Sequence, residues 1–133
     1  MPRFFAALMR HGQYQQAPDT PGAHQPHPLT PAGEAQARRG AGSLLEIAHG
    51  EGWRVDRVVD SSTILRAWQT ATLSSRVFAA RLGSSFRVTP FQELAERSVG
   101  SAANLTMKQI RSVVLERLED GGWKRVAGQW KVR

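Results

Sequence analysis

The sequence predicts an α/β fold, in which helices flank a mainly parallel sheet in three layers. Three observations predict it. Short apolar runs alternate with longer amphipathic stretches, Gly, Pro or capping residues mark most changes of pattern, and 133 residues suffice for one domain but not for two full-sized ones. Since the intervening helices act as crossovers between parallel strands, we expect binding sites beyond the carboxyl ends of the strands.

Composition excludes several classes of protein. Hydrophobic residues make up 41% of the chain and charged residues 22%, which is close to ordinary globular usage. There is no Cys, which excludes disulfide scaffolds, cysteine nucleophiles and thiolate metal sites. The first apolar run is broken by Arg10 and His11, so it is too short for a spanning helix or a signal peptide. We therefore expect a cytoplasmic protein with no membrane partner.

The basic excess is concentrated at one end of the chain. The formal net charge is +7. Within the segment 121–133 every charged residue is basic, and the segment also contains two tryptophans. We expect a main domain over residues 1–120 and a basic, Trp-containing tail over residues 121–133. Because charge alone supports only non-specific attraction, nucleic acid is not the expected partner.

The first elements follow from apolar runs and capping residues. Residues 3–9 (RFFAALM) form an apolar run typical of a buried strand, and residues 13–28 form a Pro-rich loop of a length typical of binding loops. Thr30 and Pro31 suit the cap and the first position of a helix, which we expect to run to about Ala48.

A second strand and helix come next. Residues 55–60 (VDRVVD) read as the strand, and residues 61–63 can cap the helix that follows. Gly83 ends that helix. Its expected apolar positions are Leu65, Trp68, Leu73, Val77 and Leu82.

The last elements are shorter. Residues 86–89 read as a third strand closed by Pro90. Residues 106–109 (TMKQ) fit a capping box, and apolar residues at helical spacing continue to Leu118, before residues 120–122 break the pattern.

Three polar clusters follow the three predicted strands, at residues 10–12, 61–66 and 93–97. In a parallel sheet these clusters meet at one edge. Arg10 and Arg66 carry fork-shaped donor sets suited to phosphate oxygens. A neutral imidazole between them can attack phosphorus, because the arginines neutralise the oxygens, and a carboxylic acid of the third cluster can protonate the departing oxygen.

Four segments resemble successive signatures of the histidine phosphatase superfamily, which includes the phosphoglycerate mutases. They are residues 8–12 (LMRHG), 29–37 (LTPAGEAQA), 60–71 (DSSTILRAWQTA) and 94–97 (LAER). An isolated RHG triplet is weak evidence, but four segments in the family's order are not. The resemblance implies a phosphoglycerate mutase-like α/β fold.

The resemblance also implies catalysis through a phosphohistidine intermediate, without a metal ion or other cofactor. By position, His11 would be the nucleophile. The proton donor would be Glu96, with Glu93 as the alternative acid. The residues that would bind the phosphoryl group are Arg10, Gly12 and Arg66.

One family feature has no counterpart in the sequence. The family places a second histidine after a later strand, whereas no histidine follows His49 here. The chain therefore resembles the front portion of the fold, incomplete at its C-terminal end. We expect weaker catalysis than in a complete member. We also expect an unpaired sheet edge, which favours pairing with another chain and so the formation of a homo-oligomer.

Hydrolysis is the expected reaction. Residues 13–16 (QYQQ) lack the Glu and Asn-rich run typical of mutases, and no adjacent arginine pair follows Arg97 to bind a carboxylate. The expected substrate is a phosphomonoester, on a small molecule or on a phosphoprotein. Two alternatives stay open: a phosphoglycerate mutase-like phosphotransferase, and a catalytically impaired fold that acts as a binding module.

Overall fold

The chain divides into two compact units. The first comprises Met1–Gln15 and Pro26–Ala95, and the second comprises Gln16–Gln25 and Glu96–Arg133. The computed structural model describes residues 3–20, 26–96, 106–112, 115–117 and 123–125. In the first unit, helices flank a small parallel sheet, so the predicted α/β class is confirmed.

The first helix, α1, spans Pro31–Gly50. Its predicted cap is confirmed, because the Thr30 hydroxyl accepts a hydrogen bond from the Gly33 N–H at 3.0 Å. The helix ends two residues beyond the predicted Ala48. Small side chains on its inner face allow close packing on the second helix. The buried residues are Gly33, Ala37, Ala41, Gly42, Leu45 and Ala48.

The second helix, α2, spans Leu65–Leu82 and ends at Gly83, whose φ of 63° is left-handed. Two of its five predicted apolar positions are wrong, since Trp68 is 44% and Leu82 47% exposed, whereas Val77 packs against the core. Polar side chains on the other face are buried at little cost, because their hydroxyls donate to backbone carbonyls one turn earlier. The buried residues are Arg66, Thr70, Ala71, Ser74, Ser75 and Phe78.

The sheet of the first unit pairs β1, Val58–Ser62, with β2, Arg87–Phe91, in parallel. Both strands lie later than predicted. Residues 61–62 extend the ladder instead of capping α2, and Pro90 lies opposite Ser61 inside β2 instead of ending it. Polar side chains at a strand's carboxyl end do not stop backbone pairing, which explains the shift.

The predicted strand at residues 3–9 is wrong. No described residue of this segment lies in a strand, and Phe4 and Leu8 are 92% and 101% exposed. An apolar run suits a strand, but the ladder also needs a partner, which the run itself does not specify. Phe5 instead stacks on Trp53, with ring centroids 4.4 Å apart.

A small apolar core lies between the two long helices and the sheet. At its centre are the buried residues Ala41, Leu45 and Phe78. Phe86 packs on Phe78 with ring centroids 5.4 Å apart. The partly buried residues around this core are Leu44, Val55, Val59, Val77 and Phe86. Through Val77 and Phe78 the core packs α2 against the strands.

The second unit contains a short helix, α3, over Met107–Ser112. Its predicted capping box is confirmed, because Thr106 and Gln109 exchange side chain to backbone hydrogen bonds at 2.8 and 3.1 Å.

The predicted extension of this helix to residue 118 is wrong, because β3, Leu115–Arg117, pairs antiparallel with β4, Trp123–Arg125. Cross-strand pairing here overrides the helical spacing of the apolar residues. Of the predicted tail, only residues 123–125 are described. Among the helices described in either unit, none is both long and apolar enough to cross a bilayer.

Candidate active site

A histidine and an arginine from distant parts of the sequence meet beside the sheet. Arg66 is the second residue of α2, which begins just after the carboxyl end of β1. His11 lies in the segment that precedes α1. The Arg66 Nε–H donates a hydrogen bond to His11 Nε2, with 3.1 Å between the nitrogens. Two of the three predicted polar clusters therefore come together at this end of the sheet.

The two hydrogen bonds of the His11 ring define its protonation. Its Nδ1 lies 2.8 Å from the Gly12 carbonyl oxygen, which can only accept, so Nδ1 carries a proton. Its Nε2 faces the Arg66 guanidinium, which can only donate, so Nε2 carries none. The ring is thus a neutral imidazole whose lone pair at Nε2 points toward a positive charge.

Arg66 is almost fully buried, with 2% of its surface exposed. A buried charge is costly unless other groups replace its hydration. The Tyr14 ring does so in part, because the Arg66 Cζ lies 4.4 Å from its centroid, a cation–π contact. Tyr14 also meets the His11 ring edge to face at 5.5 Å. One aromatic ring therefore contacts both the histidine and the arginine.

Gly12 lies where no side chain fits. A Cβ at this position would collide with the backbone carbonyl of Gly33, and a Cβ at Gly33 would collide with the Gln13 carbonyl. The buried Gly12 N–H donates to Thr70 Oγ1 at 3.1 Å. The segment after His11 therefore packs directly on the start of α1 and is hydrogen-bonded to α2.

Two glutamine side chains bind the two ends of the loop that contains Tyr14. Gln36 of α1 accepts from the Gln13 N–H, and Gln69 of α2 accepts from the Leu29 N–H, both at 2.8 Å. Tyr14 and Leu29 also form an isolated antiparallel bridge. Both ends of the long loop are therefore fastened to the helices that position the candidate site.

The hydrogen bonds described above join three predicted site residues: His11, Gly12 and Arg66. Arg10, adjacent in sequence to His11, has an exposed side chain. The alternative acid Glu93 lies in the 3₁₀ turn Gln92–Leu94 that follows β2, and it is also exposed. Glu96 is exposed and belongs to the second unit. The arginine of the third predicted cluster, Arg97, lies outside the described residues.

Sequence reasoning about the site missed four contributing side chains. Two of them had a helical-spacing signal, because Gln69 and Thr70 lie three and four residues after Arg66. Gln36 lies in the second turn of α1, five residues after Pro31, and had no such signal. Tyr14 had no such signal, because it lies in a loop and its partner is on α2. Only the folded geometry identifies it.

The arrangement suits reaction with an anionic electrophile. His11 Nε2 offers an unprotonated nitrogen, and Arg66 places a positive charge beside it. Over the described residues, no three His, Asp or Glu side chains lie close enough to share a metal ion.

Comparison with known proteins identifies the family of the chain. The sequence profile of the histidine phosphatase superfamily (branch 1) matches residues 6–127, which is most of the chain. A search of curated proteins finds no significant match. The matched range includes the paired His11 and Arg66 and the threonine that binds Gly12. The chain belongs to the histidine phosphatase superfamily, branch 1.

Proposed function

We propose that this protein is a phosphatase that hydrolyses a phosphomonoester, on a small molecule or on a protein, through a phosphohistidine at His11. One observation carries the proposal: His11 Nε2 accepts a hydrogen bond, at 3.1 Å, from the Nε–H of the buried Arg66. Membership of the superfamily supports phosphatase or phosphotransferase chemistry.

In the first step, His11 Nε2 attacks phosphorus. The Nε2–P bond forms as the bond from phosphorus to the leaving oxygen breaks, and a carboxylic acid gives its proton to that oxygen, a role that the resemblance to the superfamily assigns to Glu96, with Glu93 as the alternative. Arg66 changes partner during this step. In the structure the Arg66 Nε–H donates to the lone pair of His11 Nε2. Before that nitrogen can attack, an oxygen of the bound phosphoryl group must accept this hydrogen bond in its place. Arg10, beside His11, supplies a second guanidinium.

In the second step, water attacks the phosphohistidine. The Nε2–P bond breaks, the same carboxylate takes the proton that the water loses, and inorganic phosphate leaves. His11 returns to the neutral imidazole that its two hydrogen-bond partners favour. Its Nδ1–H bond to the Gly12 carbonyl keeps the proton away from Nε2, so the nitrogen is ready for another cycle.

Hydrolysis of a chromogenic aryl phosphate tests the proposal. His11→Asn removes the nucleophile, and we expect kcat/KM to fall by roughly 10³-fold or more, as for loss of a covalent nucleophile. The matched control is His49→Asn, because His49 is an exposed histidine in the last turn of α1. We expect the control to keep wild-type activity. Equal activity in wild type and His11→Asn would contradict the proposal and favour a binding module.

A further inference from the structure

A buried threonine connects the two halves of the candidate active site. Thr70 is 4% exposed, and its hydroxyl makes two hydrogen bonds. The oxygen accepts from the Gly12 N–H at 3.1 Å, and the O–H donates to the Arg66 carbonyl at 2.8 Å. One side chain therefore ties the residue after the histidine to the backbone of the arginine.

These bonds complete a closed circuit. From the Arg66 carbonyl the circuit passes through Thr70 Oγ1 to the Gly12 N–H. From the Gly12 carbonyl it passes through His11 Nδ1 and Nε2 back to Arg66 Nε. The N–H and the carbonyl of Gly12 are both engaged, so the peptides on either side of Gly12 cannot rotate freely. The orientation of the His11 ring thus depends on the position of Thr70.

Helical hydroxyls often donate to the carbonyl four residues earlier, and this bond alone indicates no special role. Thr72 makes the same bond to the Trp68 carbonyl at 2.8 Å on the exposed side of α2. Thr70 differs because its oxygen also accepts from Gly12, which is 58 residues away in sequence. That second bond reaches the segment that carries the candidate nucleophile.

We propose that Thr70 is a positioning residue, which sets the imidazole of His11 and the guanidinium of Arg66 in register for attack on phosphorus. The inference rests on the proposed function. Thr70→Val keeps the shape of the side chain, removes the O–H donor and leaves the buried Gly12 N–H without its acceptor. The His11 ring then loses the support of the circuit on its Nδ1 side.

Hydrolysis of the aryl phosphate by three variants tests the positioning role. Because misplacing a reacting group by about 1 Å can cost roughly 100-fold in rate, we expect Thr70→Val to lower kcat about 100-fold and to change KM about threefold or less. Thr70→Ser keeps the hydroxyl and should restore kcat to within about fivefold. Thr72→Val loses the same kind of helical bond away from the site and should match wild type. If Thr70→Val keeps wild-type kcat, the proposal is overturned.

A second readout does not depend on activity. In wild type, ¹⁵N NMR of the His11 ring should show the Nδ1–H tautomer, and Thr70→Val should shift the ring toward a mixture of tautomers. An unchanged tautomer in Thr70→Val would count against positioning even if activity fell. Since this signal reports on geometry alone, an inactive wild type with the expected shift would refute the proposed function and leave the positioning role standing.

A third measurement uses the unaltered protein and needs no variant to fold. Hydrogen exchange at the Gly12 amide should be slower than at the exposed Gln16 amide, because Thr70 accepts from a buried N–H. Exchange of the Gly12 amide as fast as that of Gln16 would show that the bond to Thr70 does not persist in solution. The positioning role would then be refuted.

Discussion

The charge on Arg66 is the most costly feature of the site at the level of single residues. The whole residue is only 2% exposed, so contacts within the protein must replace water around its guanidinium. Two described side chains contribute: His11 accepts from Nε, and the face of Tyr14 lies against the planar group. Tyr14 therefore packs against the charge to which the proposed function assigns phosphate binding.

This role of Tyr14 predicts which part of its side chain matters. Tyr14→Phe keeps the aromatic face, so inhibition by inorganic phosphate should stay within about twofold of wild type. Tyr14→Leu removes the cation–π contact, which is worth about 1 to 2 kcal/mol when desolvated, so the inhibition constant for phosphate should rise about 5- to 30-fold. Equal inhibition constants for wild type and Tyr14→Leu would show that the ring does not support Arg66.

At the level of elements, the two long helices end in different ways. Gly50 is the last residue of α1, while Gly83 caps α2 with a φ of 63°. A Cβ at either position would meet open space. The two glycines therefore differ in backbone conformation and not in available room, which makes them a matched pair.

Alanine at each of these positions should change stability in opposite directions. Gly50→Ala reduces the freedom of the unfolded chain and should raise the free energy of unfolding by about 0.4 to 1 kcal/mol. Gly83→Ala places a Cβ in left-handed backbone and should lower it by about 1 to 2 kcal/mol. Urea denaturation followed by circular dichroism measures both. A stabilising Gly83→Ala would contradict the left-handed cap.

Local signals predicted where helices begin better than which face they bury. The Thr30 cap and the Thr106–Gln109 capping box involve residues close in sequence, so sequence alone could identify them. The buried face of α2 depends on where the distant His11 segment packs. The hydroxyls on that face donate to carbonyls of the same helix, so these polar side chains can be buried. Their polarity alone was therefore a poor guide to their exposure.

For the whole molecule, motif order predicted the family, and the fold followed from alternating strands and helices. The meeting of residues 10–12 with residues 61–66 was predicted from two strands of one sheet, but the first of these strands is absent from the described residues 3–9, so only the order of the family's motifs gave a sound basis for it. The exposure of residues 3–9 was not predictable, because a strand needs a partner strand and an apolar run does not identify one. Tyr14 also escaped prediction, because its contacts to His11 and Arg66 join a loop to a helix. The homo-oligomer expected from an unpaired sheet edge stays a prediction.

The central claim is that His11 carries the phosphoryl group during turnover, and rapid-quench trapping of the phosphoenzyme tests it most directly. Wild type mixed with a ³²P-labelled phosphomonoester and quenched in alkali should retain label that acid releases, and mass spectrometry should place it on His11. His11→Asn should retain none. Label at another residue, or equal labelling of His11→Asn, would contradict the account.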